Sequence, residues 1–288
     1  MLKKLYSHDF RAIGKTMWLF TIIVFITTAA GCGSLAALTY ISWDSLDIQA
    51  GGIYSALVTM TIISFIAIIA YGVIAAVSII SRFYTNLFTD EGYLTFTLPV
   101  KTGSIYDAKF LSGCVWMVIT SVVEVLCLIL LAMFAITFEE LPGVISDIST
   151  GIRFLLENTS PVHIVFFIIE FVLICILSLV YQIALLYLSV TIASIIAKKA
   201  RFVVGTAFYF IANSIVSTVS SVLMVLVGVL TLTIGTVGDP VDLFSNTADL
   251  VYWEFHGQFI VNILVFGGAF AAGYFVNKNL LKKKLNLP

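Results

Sequence analysis

The sequence predicts an all-α membrane protein with six transmembrane helices, and three observations predict it. First, 60% of the 288 residues are apolar and only 11% are charged, where a soluble domain carries about 25% charged residues. With a mean hydropathy of +1.10, the chain has too little polar surface to clothe a soluble fold, and it is the opposite of a disordered composition. Second, the apolar residues gather into six long stretches, 16–43, 48–81, 110–138, 158–197, 202–238 and 255–277. A hydrocarbon core of about 30 Å needs roughly 20 helical residues, so each stretch is long enough to cross once. Each is continuously apolar, unlike the alternating strands of about 10 residues that build a membrane barrel.

Third, the charges separate by side. With the N-terminus inside, the inner segments hold Lys3, Lys4, Arg11, Lys15, Arg82, Lys101, Lys109, Lys198, Lys199, Arg201, Lys278, Lys282, Lys283 and Lys284, fourteen of the fifteen basic residues. The outer segments hold only Arg153, together with Asp44, Asp47, Glu139, Glu140, Asp147, Glu157, Asp239, Asp242, Asp249 and Glu254. Basic residues stay on the cytoplasmic side during insertion, so both termini are expected there. An odd span count would strand one basic cluster outside. The net charge of −1 implies no nucleic-acid partner. The expected spans are about 17–40, 53–81, 110–137, 163–196, 203–234 and 256–277, in a single transmembrane domain 1–288.

In the N-terminal segment, Leu2, Tyr6, Phe10, Ile13 and Met17 recur at helical spacing, with Lys3, Lys4, Arg11 and Lys15 mostly off the stripe. Residues 2–15 therefore read as an amphipathic elbow helix on the inner membrane surface, its basic side toward anionic headgroups. A plain topogenic flank is the other reading. Gly14, Lys15 and Thr16 end like a phosphate-binding loop, but Asp9 stands where that loop requires glycine. Ala29, Ala30, Gly31 and Cys32 resemble a lipoprotein cleavage box. Ala29 replaces the usual leucine, however, and the apolar run continues to Ile41.

The one long inner loop, 82–109, mixes acids with Phe88, Tyr93, Leu94, Phe96, Leu98 and Val100. Such side chains need a partner surface or the inner ends of the spans. Thr89 or Asp90 can cap a short helix there, and Pro99 can stop it. The tail from Lys278 to Lys284 reads as a membrane-surface anchor.

Polar residues within the spans are candidate pathway residues. Glu124 lies deep in the third span, where an ionisable side chain must face a cavity or a partner. It is either a substrate-pathway or proton-linked group, or a carboxyl fastening helices together. Glu170 lies in the outer part of the fourth span. In the fifth, Asn213, Ser217, Ser220 and Ser221 fall near one face, suited to helix packing or to lining a path. His8, His163 and His256 stand far apart with no metal-ligand spacing. Cys32, Cys114, Cys127 and Cys175 all sit in or beside apolar stretches, so neither disulfides nor a metal site is expected. No polar segment exceeds about 30 residues, too little for a soluble domain with its own core. HExxH and GxSxG are absent. The chain is expected to be no enzyme, with no catalytic residue and no metal.

Phe83, Tyr84, Leu87, Phe88, Thr89, Asp90, Glu91, Gly92, Tyr93, Leu94, Thr97, Leu98, Pro99 and Val100, followed by Lys109 and Trp116, resemble ABC-2 type permeases of low-GC Gram-positive bacteria. The layout resembles them throughout, and the sharp match covers about 82–116. The resemblance implies the transmembrane half of an exporter in a bacterial plasma membrane. Two ATPase subunits would supply ATP and Mg chemistry in trans, and a second permease subunit, most simply another copy of this chain, would complete the assembly. It places a coupling helix at Asp90, Glu91, Gly92, Tyr93, Leu94, Phe96, Leu98 and Pro99. It also places re-entrant half-helices at 235–255, where Val241, Leu243, Phe244, Leu250, Val251, Tyr252 and Trp253 are otherwise an interfacial aromatic belt. The expected cargo is an amphipathic peptide or hydrophobic drug-like molecule. Two other classes stay open: a proton-linked secondary transporter or channel using Glu124, and a non-transporting scaffold or immunity protein.

Overall fold

In the computed structural model the described residues are 2–40, 49–89, 92, 102–136, 140–158, 160–197, 200–236 and 247–283, and all their regular structure is helical. Seven helices follow in order: α1 (Leu2–Tyr40), α2 (Gln49–Phe88), α3 (Thr102–Ala135), α4 (Leu141–Asn158), α5 (Pro161–Ile196), α6 (Arg201–Thr236) and α7 (Thr247–Lys283). All except α4 are long and apolar enough to cross a membrane, the architecture of a multi-pass membrane protein. They leave large apolar side chains such as Ile26, Ile69, Ile176, Val225 and Leu264 exposed, as suits helices whose solvent is hydrocarbon.

The chain forms two compact units, Met1–Leu87 with Asp107–Ser149, and Phe88–Tyr106 with Thr150–Pro288. The first packs α1, α2 and most of α3 around Val24, Cys32, Ile68, Tyr71, Cys127 and Leu131. Lipid is as apolar as these side chains, so shape and interhelical hydrogen bonds must hold the helices. Thr21 and Tyr71 hydroxyls meet at 2.7 Å between α1 and α2, and Ser34 and Thr61 at 2.9 Å. The Ser64 hydroxyl donates across to the Thr27 carbonyl at 2.8 Å.

The second unit packs α5, α6 and α7 against one another. Ser160 caps α5, with Pro161 in its first turn, the position where a missing N–H costs nothing. Apart from Glu170, the buried residues of α5 lie in its second half, among them Tyr181, Ala184, Leu185, Leu188 and Ser189.

Four features differ from the sequence-based expectation. The elbow segment 2–15 runs unbroken into the first span as α1. Its Asp9, Ile13, Gly14 and Met17 are buried within the first unit, because α2 and α3 supply partners for them. Within the outer segment that links the third and fourth spans, read as a loop, Leu141–Asn158 form the helix α4. Within the proposed re-entrant segment 235–255, residues 247–255 are the first turns of α7 and 235–236 end α6; the rest lies outside the described residues. The inner loop is also shorter, since α2 reaches Phe88 and α3 starts at Thr102. Of the proposed coupling helix, Gly92 is helical and buried, its N–H donating to the Thr89 carbonyl at 2.7 Å. Asp90, Glu91, Tyr93, Leu94, Phe96, Leu98 and Pro99 lie outside the described residues.

Candidate functional site

Glu170 is carried two and a half turns into α5, on the side that meets α7. His256 of α7 faces it, with Nδ1 at 2.7 Å from Oε1 and 2.8 Å from Oε2. One ring nitrogen thus spans both carboxylate oxygens, and the pair is mostly enclosed among apolar helices. To donate to the carboxylate, the imidazole must carry a proton on Nδ1, whether it is neutral or charged. Tyr252, one turn earlier on α7, stacks on His163 at 4.1 Å and on His256 at 5.6 Å, both at an interplanar angle of 13°. Phe167 packs on Phe255 and Phe259 beside them. The two histidines that look solitary in sequence therefore flank one tyrosine, and one of them bonds to the carboxyl group.

Further polar groups follow between the same three helices. Ser220 of α6 donates to Asn262 Oδ1 of α7 at 2.7 Å, and Asn262 Nδ2 donates to the Gln258 carbonyl at 3.0 Å. Gln258 in turn reaches Glu254 at 3.3 Å. Gln182 of α5 is the hub of a second set. Its Nε2 donates to Tyr181 Oη at 2.8 Å and to Asn213 Oδ1 at 3.2 Å, and its Oε1 accepts from Tyr209 at 2.6 Å. Asn213 and Ser220 thus each take part in a hydrogen bond between helices. Ser217 and Ser221 are exposed. At the far end of α7, Asn277 is fully buried and donates to Tyr106 at 3.4 Å.

The first unit holds two ionisable centres. Glu124 of α3 lies against α2 where Gly72 leaves room: a Cβ on Gly72 would fall on Glu124 Oε1. The second centre is Asp9. Lys109 donates to its two oxygens at 3.2 and 3.1 Å, Asn86 donates at 3.3 Å, and Arg82 Nε lies at 3.8 Å. Next to it, Trp116 Nε1 donates to the Phe10 carbonyl at 3.0 Å and its ring stacks on Phe10 at 5.0 Å. Gly14 permits that approach, since a Cβ there would lie 2.9 Å from the indole. Asp9 therefore ties α1 to both stems of the 89–101 segment, Arg82 and Asn86 on α2 and Lys109 on α3.

Glu124 belongs to the first unit and Glu170 to the second, each with its own surroundings. Sequence reasoning singled out both but missed Asp9, His256, Gln182 and Asn262. An acid among apolar neighbours at the helical spacing of Ile13 and Met17 was the available signal for Asp9. His163, seven residues before Glu170, was a weaker one for the second cluster. Among the described residues, no three His, Cys, Asp or Glu side chains gather as a metal site. No family model, no curated protein and no solved structure matches this chain.

Proposed function

We propose that this chain is the permease subunit of an ATP-driven ABC exporter, working with two copies of a separate ATPase and with a second permease subunit, a copy of itself. The observation that carries the reading is the segment from Phe83 to Val100 with Lys109 and Trp116, whose pattern resembles ABC-2 permeases. The surroundings of that segment support it. Phe83, Asn86 and Leu87 on one stem and Lys109 and Trp116 on the other are buried, and Asp9 bonds to both stems. A push delivered to 90–100 by an ATPase would move α2 and α3 together and draw α1 with them, rather than dissipate in a free loop. ATP and its Mg would be bound by the partner, so this chain would contribute motion and no chemistry. Both termini would lie in the cytoplasm and the chain in a bacterial plasma membrane. An amphipathic peptide or hydrophobic drug-like cargo suits the continuously apolar spans.

The test is co-purification with the ATPase encoded nearest to this gene, comparing the native chain with a Glu91→Lys, Tyr93→Ala, Leu94→Ala variant. A complex that the variant loses while still inserting in the membrane supports the proposal. Absence of any complex with the native chain overturns it. A second reading, proton-linked transport without an ATPase, is favoured by the Glu124 carboxylate lodged between α2 and α3. It requires cargo uptake by proteoliposomes of the purified chain under a pH gradient alone, abolished by Glu124→Gln.

A further inference from the structure

Between the third and fourth spanning helices stands α4, the helix with the sharpest one-sided apolar pattern of the seven. Leu141, Val144, Ile145, Ile148, Ile152 and Leu156 recur three and four residues apart. At about 100° per residue they share an arc of roughly 120°. Ser146, Asp147, Ser149, Thr150, Arg153 and Glu157 lie on the opposite side, with Phe154 among them. Among the described residues, none buries Ile145, Ile148, Ile152 or Leu156. Ile145, Ile148, Ile152 and Leu156 are 58, 58, 52 and 59% exposed. A helix of this length is marginal in water by itself, so this face requires a cover.

We infer that the cover is the membrane itself: α4 lies along the outer headgroup region with its apolar arc sunk in the acyl boundary. The chain on either side points to lipid rather than protein. α3 ends at Ala135 and α5 begins at Pro161, so only residues 136–140 and 159–160 separate α4 from two helices that reach the bilayer surface. Both ends of α4 are therefore held at that surface. Along the sequence, the exposed apolar residues Ile129 and Met133 of α3 and Val162 and Val165 of α5 lie within about a dozen positions of the α4 stripe, with no polar domain between them. The described charges of α4 are two acids and one arginine, so adsorption rests on the apolar arc and not on attraction to anionic lipid. This placement is independent of any ATPase.

The experiment attaches the NBD fluorophore to single added cysteines at Ile148→Cys, Ile152→Cys, Ser146→Cys and Ser149→Cys. The full chain is reconstituted in phosphatidylcholine–phosphatidylglycerol vesicles, and the protein without the added cysteine, labelled in parallel, supplies the background. All four positions are exposed, so the substitutions leave the packing intact. Probes at 148 and 152 should be quenched several-fold more by nitroxide-labelled lipid than by aqueous iodide, with the opposite preference at 146 and 149. Equal access of iodide to all four sites would overturn the inference. Protection of 148 and 152 from both quenchers would also overturn it, since protein would then be the cover.

Discussion

Asp9 and Lys109 lie one hundred positions apart, yet the lysine nitrogen is 3.1 Å from the Asp9 carboxylate and both residues are almost wholly buried, at 6 and 5% exposure. A charge pair withdrawn from water gains little net stability, but removing one partner leaves the other charge uncompensated. The cluster is therefore better understood as a register pin than as a source of stability. It admits one placement of α1 on α2 and α3, because Arg82, Asn86 and Lys109 all converge on one carboxylate.

Asp9→Asn should consequently cost about 3–5 kcal/mol, since Lys109 and Arg82 lose the buried carboxylate that they share. The double variant Asp9→Asn, Lys109→Met should recover much of that loss. Thermal unfolding in detergent, followed by loss of monodisperse protein, measures both. If the double variant is no more stable than the single, Lys109 is not the residue that Asp9 holds.

Gly72 and Glu124 make a second coupled pair. Gly72→Ala forces the carboxylate off α2 and should cost about 1–3 kcal/mol by overpacking. Adding Glu124→Ala vacates the space and should remove most of that penalty. A coupling energy of at least about 0.5 kcal/mol in the double-mutant cycle is expected for groups in contact. Strict additivity would mean that Glu124 points elsewhere.

For Glu170 and His256 the two single substitutions should differ. His256→Phe deprives a mostly enclosed carboxylate of its partner and should cost about 3–5 kcal/mol. Glu170→Gln keeps an acceptor for the imidazole N–H, so about 1 kcal/mol is expected. The apolar double variant Glu170→Leu, His256→Phe should lie near the parent. Unfolding in mixed micelles ranks the three, and equal losses from the two single variants would contradict the pairing.

The spans were legible because lipid imposes a local rule: every residue at hydrocarbon depth must be apolar or partnered, so 163–196 and 203–234 announce themselves with no knowledge of their neighbours. The partnered exceptions were not legible in the same way. Glu170 stands out in sequence, but His256 is 86 residues away and carries no mark of its role. Asp9 looked like a failed phosphate-loop position because its partners arrive from two other helices. The helix α4 was hidden for a different reason. Its charges broke the apolar run that hydropathy detects, and the stripe from Leu141 to Leu156 emerges only when those residues are placed on a helix.

Asn213 and Ser217 look equivalent in sequence, one turn apart in the same polar streak, and the structure separates them. Asn213 Oδ1 accepts from Gln182 at 3.2 Å, whereas Ser217 is exposed on the outside of α6. Interhelical hydrogen bonds in membranes are worth about 0.6 kcal/mol on average and up to about 1.7 kcal/mol. Asn213→Leu should therefore destabilise by about 1 kcal/mol, and Gln182→Leu by more, since it strips partners from Tyr181, Tyr209 and Asn213 at once. Ser217→Ala should leave stability unchanged. Under the proposed export function, the same three variants separate packing from passage in a transport assay. If these groups only fasten α5 to α6, export should fall in step with the amount of folded protein. A Ser217→Ala variant that folds normally but loses export would instead put this face of α6 on the cargo's route.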